Sequence, residues 1–380
     1  MGPAHRRRFG GLVQSVFPAT AEGVGHIHIK STEMDAMTDY RAEGENFILK
    51  NGKAFFAGAE ATFTGTCQDI SKPFLQITGQ VRVDADKLLN YFKKSQSGLK
   101  NIFVSGILNG PFVLNGFWDK PLDWDLKVDA NGAPVYFQKN YRVEKFQTQV
   151  RMKNRVLNIP FFRAAGYDGS LGSEFHINLA SDPPVFESQF YAQNINLEKI
   201  AADLDPPKKN LKGILMGKLA LAGQWQRPDT FQGSGSLSIA KGLLWQTNQF
   251  KAMGHLPLVK VEGLELVTFE EMSATFHIQN KKIHTEDLAM FGDTVDLSLR
   301  GAIGFDQSLD LIMNIQYSNA VFEGASITGG LAPIMVQQAT NFISEYKLSG
   351  TLKKPTFEKM ILPSGRSVGK KLTDVLRTII

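Results

Sequence analysis

Val295-Asp-Leu-Ser-Leu-Arg-Gly-Ala-Ile-Gly-Phe-Asp-Gln-Ser-Leu-Asp-Leu-Ile-Met-Asn-Ile-Gln-Tyr317 alternates, residue by residue, between two kinds of surface. Val295, Leu297, Leu299, Ile303 and Phe305 share one face, and Asp296, Ser298 and Arg300 share the other. After the turn signal Asp306-Gln-Ser308, the pattern resumes with Leu309, Leu311, Met313, Ile315 and Tyr317 against Asp310, Asn314 and Gln316. A period of two marks a half-buried β-strand, because successive side chains leave opposite sides of the backbone. Two such runs joined by a short polar turn can pair only antiparallel. The same alternation recurs at Trp124, Leu126, Val128 and Ala130, at Phe175, Ile177 and Leu179, and at Leu237 and Ile239. Hairpin signals stand between such runs: Lys50-Asn-Gly-Lys53, Ala130-Asn-Gly132, Lys153-Asn-Arg155 and Asn280-Lys-Lys282.

A second pattern organises the chain on a longer scale. Gly116-Phe-Trp-Asp-Lys120-Pro121, Gly223-Gln-Trp-Gln-Arg227-Pro228 and Gly350-Thr-Leu-Lys-Lys354-Pro355 each place a proline five residues after a glycine. Gly65 to Lys72-Pro73 is a looser fourth copy. Trp118 answers Trp225, Trp124 answers Phe231, and Asn131-Gly132 answers Lys241-Gly242. A helix-like segment precedes each of the two clearest copies, Asp84 to Lys94 and Asn196 to Leu204. Recurrence of this kind implies a modular, elongated β-architecture. Two further segments have helical spacing, Leu331 to Lys347 and Val368 to Ile379. The fold expected is therefore mainly β: an elongated, curved antiparallel sheet, groove-like, with a few short helices and a C-terminal helical segment.

The expected organisation is a disordered or truncated leader over 1–25, a partial β-repeat over 26–80, a β-repeat with a short leading helix over 81–190, a further β-repeat over 191–328, and a helix, terminal strand and amphipathic helix over 329–380. Arg6, Arg7 and Arg8 before Leu12 to Ala21 give the leader a superficial likeness to a signal peptide, but Gln14, Ser15 and Pro18 interrupt its apolar part. No stretch reaches the roughly 18–20 apolar residues of a membrane-spanning helix.

Composition narrows the function. Of 380 residues, 43% are hydrophobic, enough for a substantial core, and the 35 glycines and 27 phenylalanines suit short strands, tight turns and bulky packing on one face. The net charge of +5 is spread along the chain, which argues against nucleic acid as a partner. Cys67 is the only cysteine, so neither an intrachain disulfide nor a cysteine-based zinc site can form. No nucleophile elbow, phosphate-binding loop, His-Glu-x-x-His or EF-hand pattern occurs. His26 and His28 share one face of a strand, a geometry with metal-binding potential but no third ligand in view. Glu270-Glu271 and Glu286-Asp287 read as solvated charge beside turns. Gly233-Ser-Gly-Ser236 enters a strand, not a helix N-terminus, so it lacks what a phosphate requires. No catalytic residue, metal site or cofactor site is expected, and the chain reads as a non-enzyme.

An antiparallel sheet with one oily face and little helix to cover it must fold on itself, stack on a second sheet, or hold something that is not protein. Phe231-Gln-Gly-Ser-Gly-Ser-Leu-Ser-Ile-Ala-Lys-Gly242, the strands Phe269 to Ile278, Ile283 to Met290 and Val295 to Phe305, and the closing Tyr346-Lys-Leu-Ser-Gly-Thr-Leu-Lys-Lys-Pro-Thr-Phe357 resemble the AsmA-like family of bacterial envelope proteins. The likeness covers about residues 75–360 and is carried by the order and spacing of weak motifs. It implies a protein similar to bridge-like lipid-transfer proteins, with phospholipid acyl chains on an apolar β-groove between the inner and outer membranes. It also implies a periplasmic location associated with the inner membrane. Such proteins usually begin with a membrane-anchoring helix, which this sequence lacks, so the resemblance leaves two readings beside the phospholipids and bacterial membranes as partners: the chain is the C-terminal part of a longer protein, or it works with a separate inner-membrane anchoring partner. The lipid-contact candidates are Val295, Leu297, Leu299, Ile303, Phe305, Leu311, Met313 and Ile315, for which ordinary β-core is the competing reading. The alternative function is a non-enzymatic assembly factor that pairs β-strands with outer-membrane proteins; it requires a long edge strand free of proline and lysine.

Overall fold

The computed structural model describes residues 22–30, 34–69, 72–94, 103–137, 141–204, 211–244, 267–292, 295–317 and 343–360. They fall into two compact units, one of Met1–Gly166 with Leu171–Phe186, the other of Tyr167–Ser170 with Glu187–Ile380. The expected boundary at 80/81 lies inside a strand of the first unit, and that at 190/191 lies a few residues past the observed division. Architecture is mainly β and antiparallel, with two short α-helices among the described residues.

The first unit is a meander in chain order. It contains β1 (Glu22–Lys30), β2 (Met34–Glu43), β3 (Asn46–Phe56), β4 (Ala59–Gln68), β5 (Phe74–Asp84), β6 (Val104–Phe117), β7 (Asp125–Phe137), β8 (Tyr141–Val143), β9 (Lys145–Lys153) and β10 (Val156–Gly166). Successive strands pair, and β7 accommodates both β8 and β9 along its length. The division between units runs through β11 (Gly169–Asn178) and β12 (Val185–Asn196). The second unit continues the pattern with β13 (Lys212–Gln224), β14 (Arg227–Leu244), β15 (Val267–Gln279), β16 (Lys282–Phe291), β17 (Val295–Gly304), β18 (Leu309–Tyr317), β19 (Ile343–Thr351) and β20 (Lys354–Lys359), again paired in sequence.

Both helices follow a strand directly and are capped by a side chain. In α1 (Ala85–Lys93), the Asp84 carboxylate accepts a hydrogen bond from the Lys87 amide at 3.3 Å. In α2 (Leu197–Asp203), the Asn196 side chain accepts from the amides of Glu198 and Lys199 at 3.0 and 3.4 Å. Each cap satisfies amides that the first helical turn leaves without a partner. These helices match the two segments that precede the glycine-to-proline phrase.

That phrase itself spans hairpin turns. Gly116–Pro121 links β6 to β7 through a 3-10 turn at Pro121–Asp123, Gly223–Pro228 links β13 to β14, and Gly350–Pro355 links β19 to β20. The correspondence of Trp124 with Phe231 has a steric cause. A Cβ on Gly116 would strike the Trp124 indole, and one on Gly223 would strike the Phe231 ring at 2.7 Å. In these two copies the repeat therefore encodes a turn with an aromatic ring folded over its first glycine.

Two of the four expected hairpins are real. Asn154 and Arg155 (φ 51° and 62°) join β9 to β10, and Asn280 and Lys281 (φ 53° and 59°) join β15 to β16, the left-handed pair that a two-residue turn requires. The other two are corrections. Strand β7 runs straight through Ala130-Asn-Gly132, and β3 runs through Lys50-Asn-Gly-Lys53 with a bulge between Leu49 and Gly52. Asn51, at φ 53°, occupies that bulge and donates a hydrogen bond to Asp39 at 2.9 Å. Local sequence offered an Asn-Gly pair in both places, and cross-strand pairing decided its use. Three other expectations change or leave the described residues. The expected leader boundary at 25 falls inside β1, which begins at Glu22. Residues 343–347 of the expected helix Leu331 to Lys347 belong to strand β19, and 331–342 lie outside the described residues, as does Val368 to Ile379.

Candidate functional site: the apolar sheet face

Residue pairing lays the apolar side chains in rows that cross the strands. In the first unit one row runs Gly25, Tyr40, Leu49, Gly65, Ile77, Leu114, Leu126, Met152, Leu157 over nine strands, each residue directly opposite the next. Beside it, on the same face, the row Gly52, Phe63, Gly79, Phe112, Val128, Val150 alternates glycine with phenylalanine across its first four strands. Here the glycines are required by close approach. A Cβ on Gly52 would overlap the Phe63 ring, and one on Gly79 would sit 2.9 Å from Phe112. Rings lying over glycines make a low, smooth apolar surface in place of one studded with side chains.

Cover over this face is uneven. Tyr40, Ala42, Phe47 and Leu49 form a buried cluster near β2 and β3, and Val135, Val143, Phe146 and Ala164 form another around β7 to β10. Between them Ile77, Phe112, Leu126, Val128, Val150 and Met152 are only half-buried. Opposite lies a polar face, with Asp125 bound to Lys153 at 2.7 Å and Asp123 to Arg155 at 3.0 Å.

The second unit has comparable rows. Leu215, Ile239, Met272, Met290, Leu297 and Ile315 form one over β13 to β18; Leu221, Gly233, Ile278, Ile283, Ile303 and Leu309 form another. Their continuity depends on a bulge. Ile283 and Met290 have opposite parity in the sequence, yet both join these rows because β16 carries one extra residue between Thr285 and Leu288. Asp287 stabilises the bulge by accepting from the Thr275 amide at 2.8 Å and from its hydroxyl at 2.6 Å. Asp287 is thus a structural device within a strand, while Glu286 beside it is exposed, solvated charge in the same strand. Glu270-Glu271 also lies within a strand, β15, where both residues are exposed. Three strand spacings separate β14 from β17, about 14 Å if flat. The rings of Phe231 and Phe305 nonetheless lie 6.5 Å apart, so the two side chains lean toward each other on the face they share.

The eight candidate residues separate on this geometry. Leu297, Leu311, Met313 and Ile315 are between 1% and 6% exposed and belong, with Phe269, Met290, Leu309, Tyr346 and Leu348, to the second unit's buried cluster. Leu299 and Ile303 are partly buried against it. Phe305 is 39% exposed at the rim of the same face. Val295 is placed by backbone alone, opposite Tyr317, and its side chain is outside the described part. The structure brings six of the eight together, four of them as closed core. Half-open positions such as Ile77 were not singled out from sequence, although Leu75, Ile77, Val81 and Val83 alternate with Gln76, Thr78, Gln80 and Arg82.

The two N-terminal histidines are engaged in cross-strand pairing. His26 Nδ1 lies 3.1 Å from Asp39, and His28 Nε2 lies 2.7 Å from Asp35. Hydrogen bonds from Asn51 and His26 hold the Asp39 carboxyl below its ordinary value. Burial pushes the Cys67 thiol up, which lowers its reactivity. No group of three potential metal ligands occurs among the described residues. The fold and face together define a class: an antiparallel β-meander protein with one polar and one apolar surface. Comparison with protein-family models, curated proteins and solved structures finds no match to this chain.

Proposed function

We propose that this chain is a non-enzymatic lipid-binding protein that holds phospholipid acyl chains on its apolar sheet face and assists their transfer between inner and outer membranes. In this reading it works in the periplasm of a bacterial envelope, beside an inner-membrane anchoring partner. The envelope setting rests on the resemblance to AsmA-like proteins. The lipid reading rests on the half-buried stretch of the first unit, where Ile77, Leu126 and Met152 stand partly exposed in one apolar row around the buried Leu114. With Tyr40 and Leu49 closed into core, the six strands that carry the row from Gly65 to Leu157 span a contour of roughly 24 Å at about 4.8 Å per spacing. One leaflet of a hydrocarbon core about 30 Å thick is roughly half that depth, about 15 Å. The row is therefore long enough for an acyl chain to lie along it, crossing the strands. Its Gly–Phe neighbour offers dispersion contacts without polar groups that would have to lose water.

Native mass spectrometry with lipid extraction, on the chain purified without detergent, tests this. Co-purifying phospholipid is expected, and an Ile77→Asp, Leu126→Asp variant is expected to lose it while keeping the wild-type far-UV spectrum. A folded wild-type chain that carries no lipid and takes none from mixed phosphatidylethanolamine–phosphatidylglycerol vesicles would overturn the proposal.

A further inference from the structure

The strands at the two described edges differ in kind. β20 is six residues long and carries Lys354, Pro355 and Lys359, features that discourage strand addition. β1 has nine residues, no proline, and a lysine only at its last position, Lys30. It pairs along its whole length with β2 and with no other strand among the described residues. Alternate backbone N–H and C=O groups of β1 thus face away from β2, a template for another strand. Lys120-Pro121 and Arg227-Pro228 lie at internal hairpins and guard neither edge.

We propose that this edge takes β1 of a second copy, antiparallel and centred on His26, to give a two-fold dimer. The sequence of β1 selects that occupant and that register. Opposed residues share a face in an antiparallel pair, so only registers that match odd with odd keep Ile27, which packs against the Tyr40–Phe47 cluster, on the apolar side. Centring on His26 uses all nine residues. It sets Gly23 opposite Ile29 and Gly25 opposite Ile27, continuing the glycine-opposite-bulky pairing seen across this sheet. It also sets Glu22 opposite Lys30 at both ends, an acidic residue against a basic one, twice per dimer. In the single chain the Lys30 ammonium makes a 3.8 Å contact with Asp35 and is largely exposed, so it is free to reach a second carboxylate. Centring on Gly25 or on Ile27 also keeps the faces matched, but it sets Glu22 opposite His28 in the first case and Lys30 opposite Val24 in the second, and the acid–base match is lost. A two-fold axis normal to the sheet keeps both apolar faces on the same side, and the interface is isologous. The proposal does not depend on the lipid reading.

Disulfide trapping in a Cys67→Ser background tests both the dimer and its register, using the full chain. His26→Cys is expected to oxidise to a covalent dimer, because residue 26 meets its own copy at the axis. Val24→Cys alone is expected to stay monomeric, whereas a mixture of Val24→Cys and His28→Cys chains cross-links. Without cysteines, Glu22→Lys and Lys30→Glu are each expected to weaken self-association about tenfold in sedimentation equilibrium, and mixing the two variants to restore it as a heterodimer. A chain that stays monomeric at every concentration, or cross-links of equal yield from all three positions, overturns the proposal. So does an edge found occupied by a different protein's strand.

Discussion

The apolar face of the first unit and that of the second are built from the same kind of row, yet one is half-open and the other closed. In the second unit, Met290, Leu297, Met313 and Ile315 are nearly inaccessible, and the rings of Phe231 and Phe305 lean together on that face. In the first, the stretch around Ile77, Leu126 and Met152 keeps part of its surface in contact with solvent. The difference teaches that alternation specifies a face and not its use. Whether such a face becomes core or binding surface depends on curvature, on bulges such as that at Asp287, and on where glycine replaces a side chain.

The largest effect that could break this comparison is a buried charge. Ile315→Asp is expected to unfold the second unit, at a cost above about 4 kcal/mol, whereas Ile77→Asp is expected to lower the melting temperature by a much smaller amount and leave the first unit folded. Thermal melts of the two variants by circular dichroism check this, and equal losses would mean that both faces are core. Truncation makes a gentler version of the same contrast. Ile315→Ala is expected to cost about 3 kcal/mol and Ile77→Ala less than about 1 kcal/mol, read from urea midpoints. Asp287→Ala sharpens the role of the bulge: losing both hydrogen bonds to Thr275 is expected to cost about 1–2 kcal/mol and to speed exchange of the Thr275 amide. The smallest effect concerns Asp39. Its carboxyl is held below the ordinary value of 3.8, so its contribution to stability is present above that pH and is lost as pH falls through the lower, folded value. Asp39→Asn should therefore flatten the acid limb of the stability curve below about pH 4, with little change at neutrality.

Much of the fold was legible. Alternation from Val295 to Tyr317 yields β17 and β18 with their turn, the segments after Asp84 and Asn196 yield α1 and α2, and the glycine-to-proline phrase marks three hairpins. The lipid-contact candidates were legible only as a face. Nothing in Leu297 or Ile315 distinguishes a core residue from a groove residue, since both uses call for the same side chains. Asn51-Gly52 and Asn131-Gly132 show the same limit for turns: one Asn-Gly pair lies in a bulge of β3 and the other within β7, and neither makes a hairpin.

By itself, then, the sequence determined that this protein is antiparallel β with one oily and one polar face, because a period of two in side-chain character survives any arrangement of the strands. It also determined the glycines and aromatics that fit one over another. Only the tertiary structure decided which glycine meets which ring, which rows run unbroken across the strands, and which stretch of the oily face is closed. Those are properties of pairing register and curvature, which arise between residues far apart in the chain and leave no mark on any one segment.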